Sequence, residues 1–174
     1  EGESEISWAP NLDWLVSGGK QCLDSYSNSE EELNQEDWIR DLLWMAQMPH
    51  ILVLDDWVLV HAGLDPKKSL DEQQEKELLW IREVFHNAKK PVDARRAVVI
   101  GHSITHSVLG QSIGEIGRSE YRLEDGRPLW FGIDTGACDS ASGWLTAMDL
   151  NSGELVQAND SGDTRRKGPA FKQT

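Results

Sequence analysis

The sequence predicts an α/β fold built on mixed β-sheet, and three stretches carry that prediction. Trp57-Val58-Leu59-Val60, Ala97-Val98-Val99-Ile100 and Leu129-Trp130-Phe131-Gly132-Ile133 are apolar runs without polar alternation. A strand wetted on one face alternates and one covered on both faces does not, so these runs read as interior strands. Each ends in small residues beside a polar one: His61-Ala62-Gly63, Gly101-His102-Ser103 and Asp134-Thr135-Gly136. Open α/β sheets hold ligands in the crevice beyond the strand C-termini, so two histidines and an aspartate at such ends form a site-like pattern.

Composition excludes several classes. A chain of 174 residues with 39% hydrophobic content and eight tryptophans can bury one domain's core and is not globally disordered. A formal net charge of −13 argues against nucleic acid and anionic membrane as partners, since both require a basic face. A cytoplasmic location is the expectation. Cys22 and Cys138 are the only cysteines and form no C-x-x-C, so nothing requires a disulfide or a Cys-rich zinc site. No apolar run reaches transmembrane length.

Taken in order, residues 1–7 are acidic and read as a frayed start. Pro10 to Val16 suits a short helix stopped by Gly18-Gly19, and Ser25 to Glu36 is a polar connection. A second helix is expected over Asp37 to Met48, where Ile39, Leu42, Leu43 and Ala46 make one apolar stripe and Pro49 follows. Ile51–Leu54 and Trp57–Val60, parted by Asp55-Asp56, suggest a hairpin. Ser69-x-x-Glu72 has the form of a capping box opening a helix that runs into Leu78-Leu79-Trp80-Ile81-Arg82. Lys89 to Arg96 is a basic loop, and Ser107 to Pro128 is irregular. Trp144–Leu150 and Glu154–Ala158 read as strands joined by an Asn151-Ser152-Gly153 turn. From Asp160 onward the chain is polar with Gly and Pro, the composition of a disordered tail.

Several motifs bear on chemistry. His61 and His102, each ending an apolar strand, could share one metal ion, or each could bond a loop carbonyl; two ligands alone do not complete a catalytic site. On a helix through Phe85, Arg82 would sit beside the stripe of Leu78, Ile81 and Phe85, where its guanidinium either snorkels to water or meets an anion. Asp134-Thr135-Gly136 has the form of the aspartic protease triplet, but it occurs once and no second lobe is evident. His106, four residues after His102, lacks the glutamate and helix start of an H-E-x-x-H site; His106, His86 and His50 read as ordinary.

Together these pieces resemble the calcineurin-like metallophosphoesterases, most closely the bacterial serine/threonine phosphoprotein phosphatases of the PPP family. Val60-His61-Ala62-Gly63 resembles the "HAG/HGG" motif, Gly101-His102-Ser103 the "GHT" motif, and Leu78-Leu79-Trp80-Ile81-Arg82 the "LLWxR" segment. Ile133-Asp134-Thr135-Gly136-Ala137 with Gly143-Trp144-Leu145-Thr146-Ala147 is similar to "IDTGA…GG.LTA". Order and spacing agree over residues 8–156. The resemblance implies the C-terminal part of a four-layer α/β sandwich with mixed sheets over residues 1–159, and a polar tail over 160–174. It implies hydrolysis of phosphoproteins or small phosphoesters at two divalent ions (manganese, or iron and zinc). His61 and His102 would ligate the second ion and Arg82 would bind phosphate.

Cys138-Asp139-Ser140-Ala141-Ser142 departs from the family's shorter aromatic turn, and "GDxHG", "GDxVDRG" and "GNHE" do not occur. The chain is therefore expected to be the C-terminal half of such a phosphatase, carrying part of one ion's ligands and inactive alone. The alternatives are a non-catalytic fragment or pseudophosphatase used for binding, and a dinucleotide polyphosphate hydrolase of the same superfamily.

Overall fold

The computed structural model describes residues 12–27 and 33–171. The expected frayed start, Pro10-Asn11 and part of the 25–36 connection lie outside the described residues. The chain divides into two compact units, Glu1–Met48 and Pro49–Thr174.

In the first unit, α1 (Leu12–Trp14) passes through a π-helical turn at Leu15–Gly19 into α2 (Lys20–Ser25). Gly18-Gly19 does not stop the helix as expected: the Lys20 N–H reaches back five residues to the Leu15 carbonyl, so the turn widens and continues. α3 (Gln35–Met45) starts two residues before the predicted Asp37, because the Asn34 side chain caps it by accepting from the Asp37 N–H at 3.2 Å. Its predicted apolar stripe is not buried within this unit; Ile39 and Leu43 are exposed.

The second unit holds a five-stranded mixed sheet and a three-stranded antiparallel one. The first is formed by β1 (Ile51–Val53), β2 (Trp57–Val60), β3 (Ala97–Ile100), β4 (Gly117–Arg118) and β5 (Trp130–Gly132), in the order β1-β2-β3-β5-β4. The hairpin expected on either side of Asp55-Asp56 is present: β1 and β2 pair antiparallel, Leu52 opposite Leu59. β2, β3 and β5 are parallel neighbours, with Val60 beside Ile100 and Ile100 beside Gly132. All three therefore end at one rim.

The absence of alternation is explained by cover on both faces. Trp57 and Phe131 pack against Phe171 on one side, tilted and edge-on, at 5.2 Å and 5.9 Å between ring centroids. On the other, Trp130 meets Phe85 at 6.3 Å. β4 pairs with β5 at the sheet edge, and its two residues carry no periodicity a sequence could show.

The Ser69–Glu72 capping box forms, but it opens only a 3-10 turn, Leu70–Glu72. A second box, Gln74 with Glu77, opens α4 (Glu75–Trp80). The helix then breaks. Ile81 is extended (φ −62°, ψ 144°) and Arg82 adopts φ −132°, ψ −103° before α5 (Glu83–His86) begins.

The second sheet comprises β6 (Leu145–Met148), β7 (Leu155–Ala158) and β8 (Thr164–Lys167). The tail expected from Asp160 is instead ordered to Phe171. β8 pairs with β7, and Ala170 and Phe171 pack into the core. Polar composition misled because β8 is an edge strand whose Arg and Lys side chains find partners: Arg166 bonds Glu154 at 2.8 Å, and Lys167 reaches Glu115. Among the described residues, no helix is long and apolar enough to cross a membrane.

Candidate functional site

The parallel register of β2 and β3 builds the rim. Val60 lies beside Ile100, so the residues just beyond them meet, and the Gly101 N–H donates to the His61 carbonyl at 2.9 Å. His102 then turns with a positive φ of 57°, alone among the described non-glycine residues, and this swings its ring back toward His61. His61 Nε2 and His102 Nδ1 stand 3.2 Å apart. The far end of this turn is tied down where the Thr105 N–H donates to the Asp134 carbonyl at 2.9 Å. All three sequence-predicted strand ends thus converge.

Trp80, 67% exposed, presents its ring edge-on to His102 at 5.6 Å. Sequence reading singled out Arg82 but not Trp80. The signal was its place within the apolar run Leu78-Leu79-Trp80-Ile81, where a core residue and an exposed one look alike. Arg82 does not ride on a continuous helix. It caps α5 from a non-helical backbone and its residue is exposed.

Its charge is nevertheless felt at the rim. His102 is held below the ordinary histidine range by burial first, then by Arg82 and His61, against an opposing pull from Asp134. His86 is lowered likewise, by burial and then by Arg82 and His102. A neutral imidazole is the form that can ligate a cation.

The polar atoms around this turn are poorly satisfied by protein. His102 Nε2, Ser103 Oγ, Thr105 Oγ1 and His106 Nδ1 are buried without a hydrogen-bond partner among the described residues. The His61–His102 separation suits either a hydrogen bond or a shared ion: at a metal–nitrogen distance of about 2.1 Å, 3.2 Å corresponds to a ligand angle of roughly 100°. The pair therefore fits part of one ion's ligand set. Among the described residues, no group of three or more His, Cys, Asp or Glu could hold a metal by itself.

The remaining motifs have structural roles. Asp134 Oδ1 accepts from the Gly136 N–H at 3.1 Å, making the turn after β5, and Thr135 is buried. α6 (Thr105–Val108) starts after His102, so His102 and His106 do not share a helix face. Cys22 and Cys138 are both free. The basic loop spends charge internally, with Arg95 on Asp56 at 3.2 Å and Arg96 on Asp93 at 2.7 Å.

Compared with protein-family models, curated proteins and solved structures, the chain finds no match. The rim geometry therefore carries the functional reading.

Proposed function

We propose that the chain contributes part of the dinuclear site of a metal-dependent phosphoester hydrolase of the phosphoprotein phosphatase type, acting within a longer chain. The observation that carries this reading is the imidazole pair, His61 Nε2 and His102 Nδ1 3.2 Å apart at adjacent parallel strand ends. In this reading the two sheets belong to a metallophosphoesterase sandwich. The substrates are phosphorylated proteins or small phosphoesters, not nucleic acid or membrane, and the setting is cytoplasmic.

Two divalent ions in such a site supply an activated hydroxide and offset charge on the phosphoryl oxygens. This chain's residues prepare for that. His61 and His102 would ligate one ion, and the depressed protonation of His102 keeps its donor nitrogen available. Arg82, exposed and near enough to His102 to lower its proton affinity, offers a planar fork of donors to phosphoryl oxygens. The turn at His102, tied at Gly101 and Thr105, directs its side chain toward His61.

The test is manganese-dependent hydrolysis of an aryl phosphate by the full-length gene product and by this chain alone. Turnover is expected in the former, lost in His61→Ala and His102→Ala, with weaker phosphate binding in Arg82→Ala. An inactive full-length protein would turn the conclusion toward a pseudophosphatase that only binds. A strong preference for dinucleotide polyphosphates would move it to that branch of the superfamily.

A further inference from the structure

Beneath the rim, four side chains from four different segments form one chain of hydrogen bonds whose direction is fully determined. Arg165 on β8 is donor only, and its Nε–H reaches Gln157 Oε1 at 2.7 Å. That identifies the oxygen of the Gln157 amide. Both hydrogens on its Nε2 are then used, on the Gly114 carbonyl at 2.8 Å and on Thr146 Oγ1 at 2.7 Å. Thr146 Oγ1 lies 2.6 Å from Thr135 Oγ1. Thr135 directs its own hydroxyl hydrogen to the Trp144 carbonyl, so Thr146 must donate to Thr135. Each hydroxyl accepts once and donates once, and reversal would face donor against donor. Thr135, Thr146 and Gln157 are all buried, where such bonds are strongest and an unmade one is most costly.

The relay ends at the residue after Asp134. The Trp144 N–H donates back to the Thr135 carbonyl at 3.2 Å, so two bonds join Thr135, just past β5, to Trp144. The Asp134 carbonyl in turn receives the Thr105 N–H that closes the His102 turn. The Gly101–Thr105 segment thus hangs between two backbone bonds, one to His61 and one to Asp134. The second is held in place by the three-stranded sheet.

We propose that Thr146 and Gln157 are positioning residues for the His61–His102 pair, acting through Thr135 and the Asp134–Thr105 contact. A positive-φ histidine has a competing arrangement in which the turn relaxes, and the relay removes it by fixing the surface the turn is bonded to. What the pair is positioned for rests on the proposed function; the positioning itself does not.

The experiment follows the imidazole nitrogen and carbon-bound proton NMR signals of this chain, without added metal, at fixed pH and well below its unfolding midpoint. In Thr146→Val the Gln157 donor and the Thr135 acceptor both lose their partner while volume is kept. The His61 and His102 signals are expected to broaden or split, the exposed His50 is expected to keep its signal, and Thr146→Ser is expected to restore single sharp lines. A loss of stability alone would lower the midpoint and leave the signals of folded molecules unmoved. If Thr146→Val does not fold, Arg165→Met removes the donor to Gln157 Oε1 at the relay's half-buried outer end, and a weaker broadening of the same two signals is expected. Folded variants whose His61 and His102 signals coincide with the parent's overturn the proposal. Because no ion or substrate takes part, that failure is separate from failure of the phosphatase reading.

Discussion

His61 Nε2 lies 3.2 Å from His102 Nδ1 although 41 positions separate them in the chain. The approach is produced by in-register parallel pairing of β2 with β3 and by one residue with positive φ. Neither imidazole could find the other if the register slipped by a residue, because each side chain would change face.

Ion binding by this chain alone is expected to be weak. Two imidazoles lack the carboxylates and amides that complete a site for manganese. Calorimetry with manganese or zinc should show no tight stoichiometric binding. A tight one-to-one isotherm that disappears in His61→Ala would mean that further ligands lie within these residues.

At position 102 the ordinary ranking of alanine above glycine should invert. With φ at 57°, a Cβ is penalised and glycine is not. His102→Gly is expected to be more stable than His102→Ala by about 1 kcal/mol, measured by urea unfolding. Equal stabilities, or alanine ahead, would show that the turn relaxes when the imidazole is removed.

Gly63→Ala tests the packing that ties the rim to Arg82. A Cβ there would stand 2.6 Å from Phe85 Cδ1 and 2.9 Å from Ile81 Cγ2. Phe85 is buried against Trp130 and cannot withdraw freely. Overpacking of this kind costs about 1–3 kcal/mol, the φ of 154° at Gly63 adds backbone strain, and the Ile81–Arg82 break should shift with the packing. The unfolding midpoint and the Arg82 side-chain NMR signal report the two effects separately.

His86 should make stability fall on mild acidification. Burial, then Arg82 and His102, lower its proton affinity below the ordinary value of 6.5. The unfolded chain therefore binds the proton more readily than the folded one. This contribution is complete above the unfolded value and is lost as pH falls from there through the folded value. Among the described residues His86 Nε2 has no hydrogen-bond partner, so an apolar replacement leaves no partner of that nitrogen unpaired. Urea midpoints at about pH 7.5 and about pH 5 should fall less for His86→Leu than for the parent. Equal losses would assign the acid sensitivity elsewhere.

Sequence alone determined the central strands, their burial on both faces and the place of their polar ends. Those properties follow from local composition: an apolar run without alternation is stable only between two covering layers, and the chain must turn where the run stops. The β1–β2 hairpin and the Ser69–Glu72 box were legible for the same reason, since each is decided within a few residues. Other features were decided only by tertiary structure. The helix break at Ile81–Arg82 is not marked by glycine or proline; it occurs where Leu78 and Phe85 must both be buried and the Leu78 carbonyl receives the Ala62 N–H at 2.8 Å. The tail became β8 because β7 offered an open edge and Phe171 could pack against both Trp57 and Phe131. The relay from Arg165 to Thr135 joins residues from distant segments, and no period or motif announces it. Such bonds gain their strength from burial and from partners supplied by other strands, so they exist only once the sheets have formed.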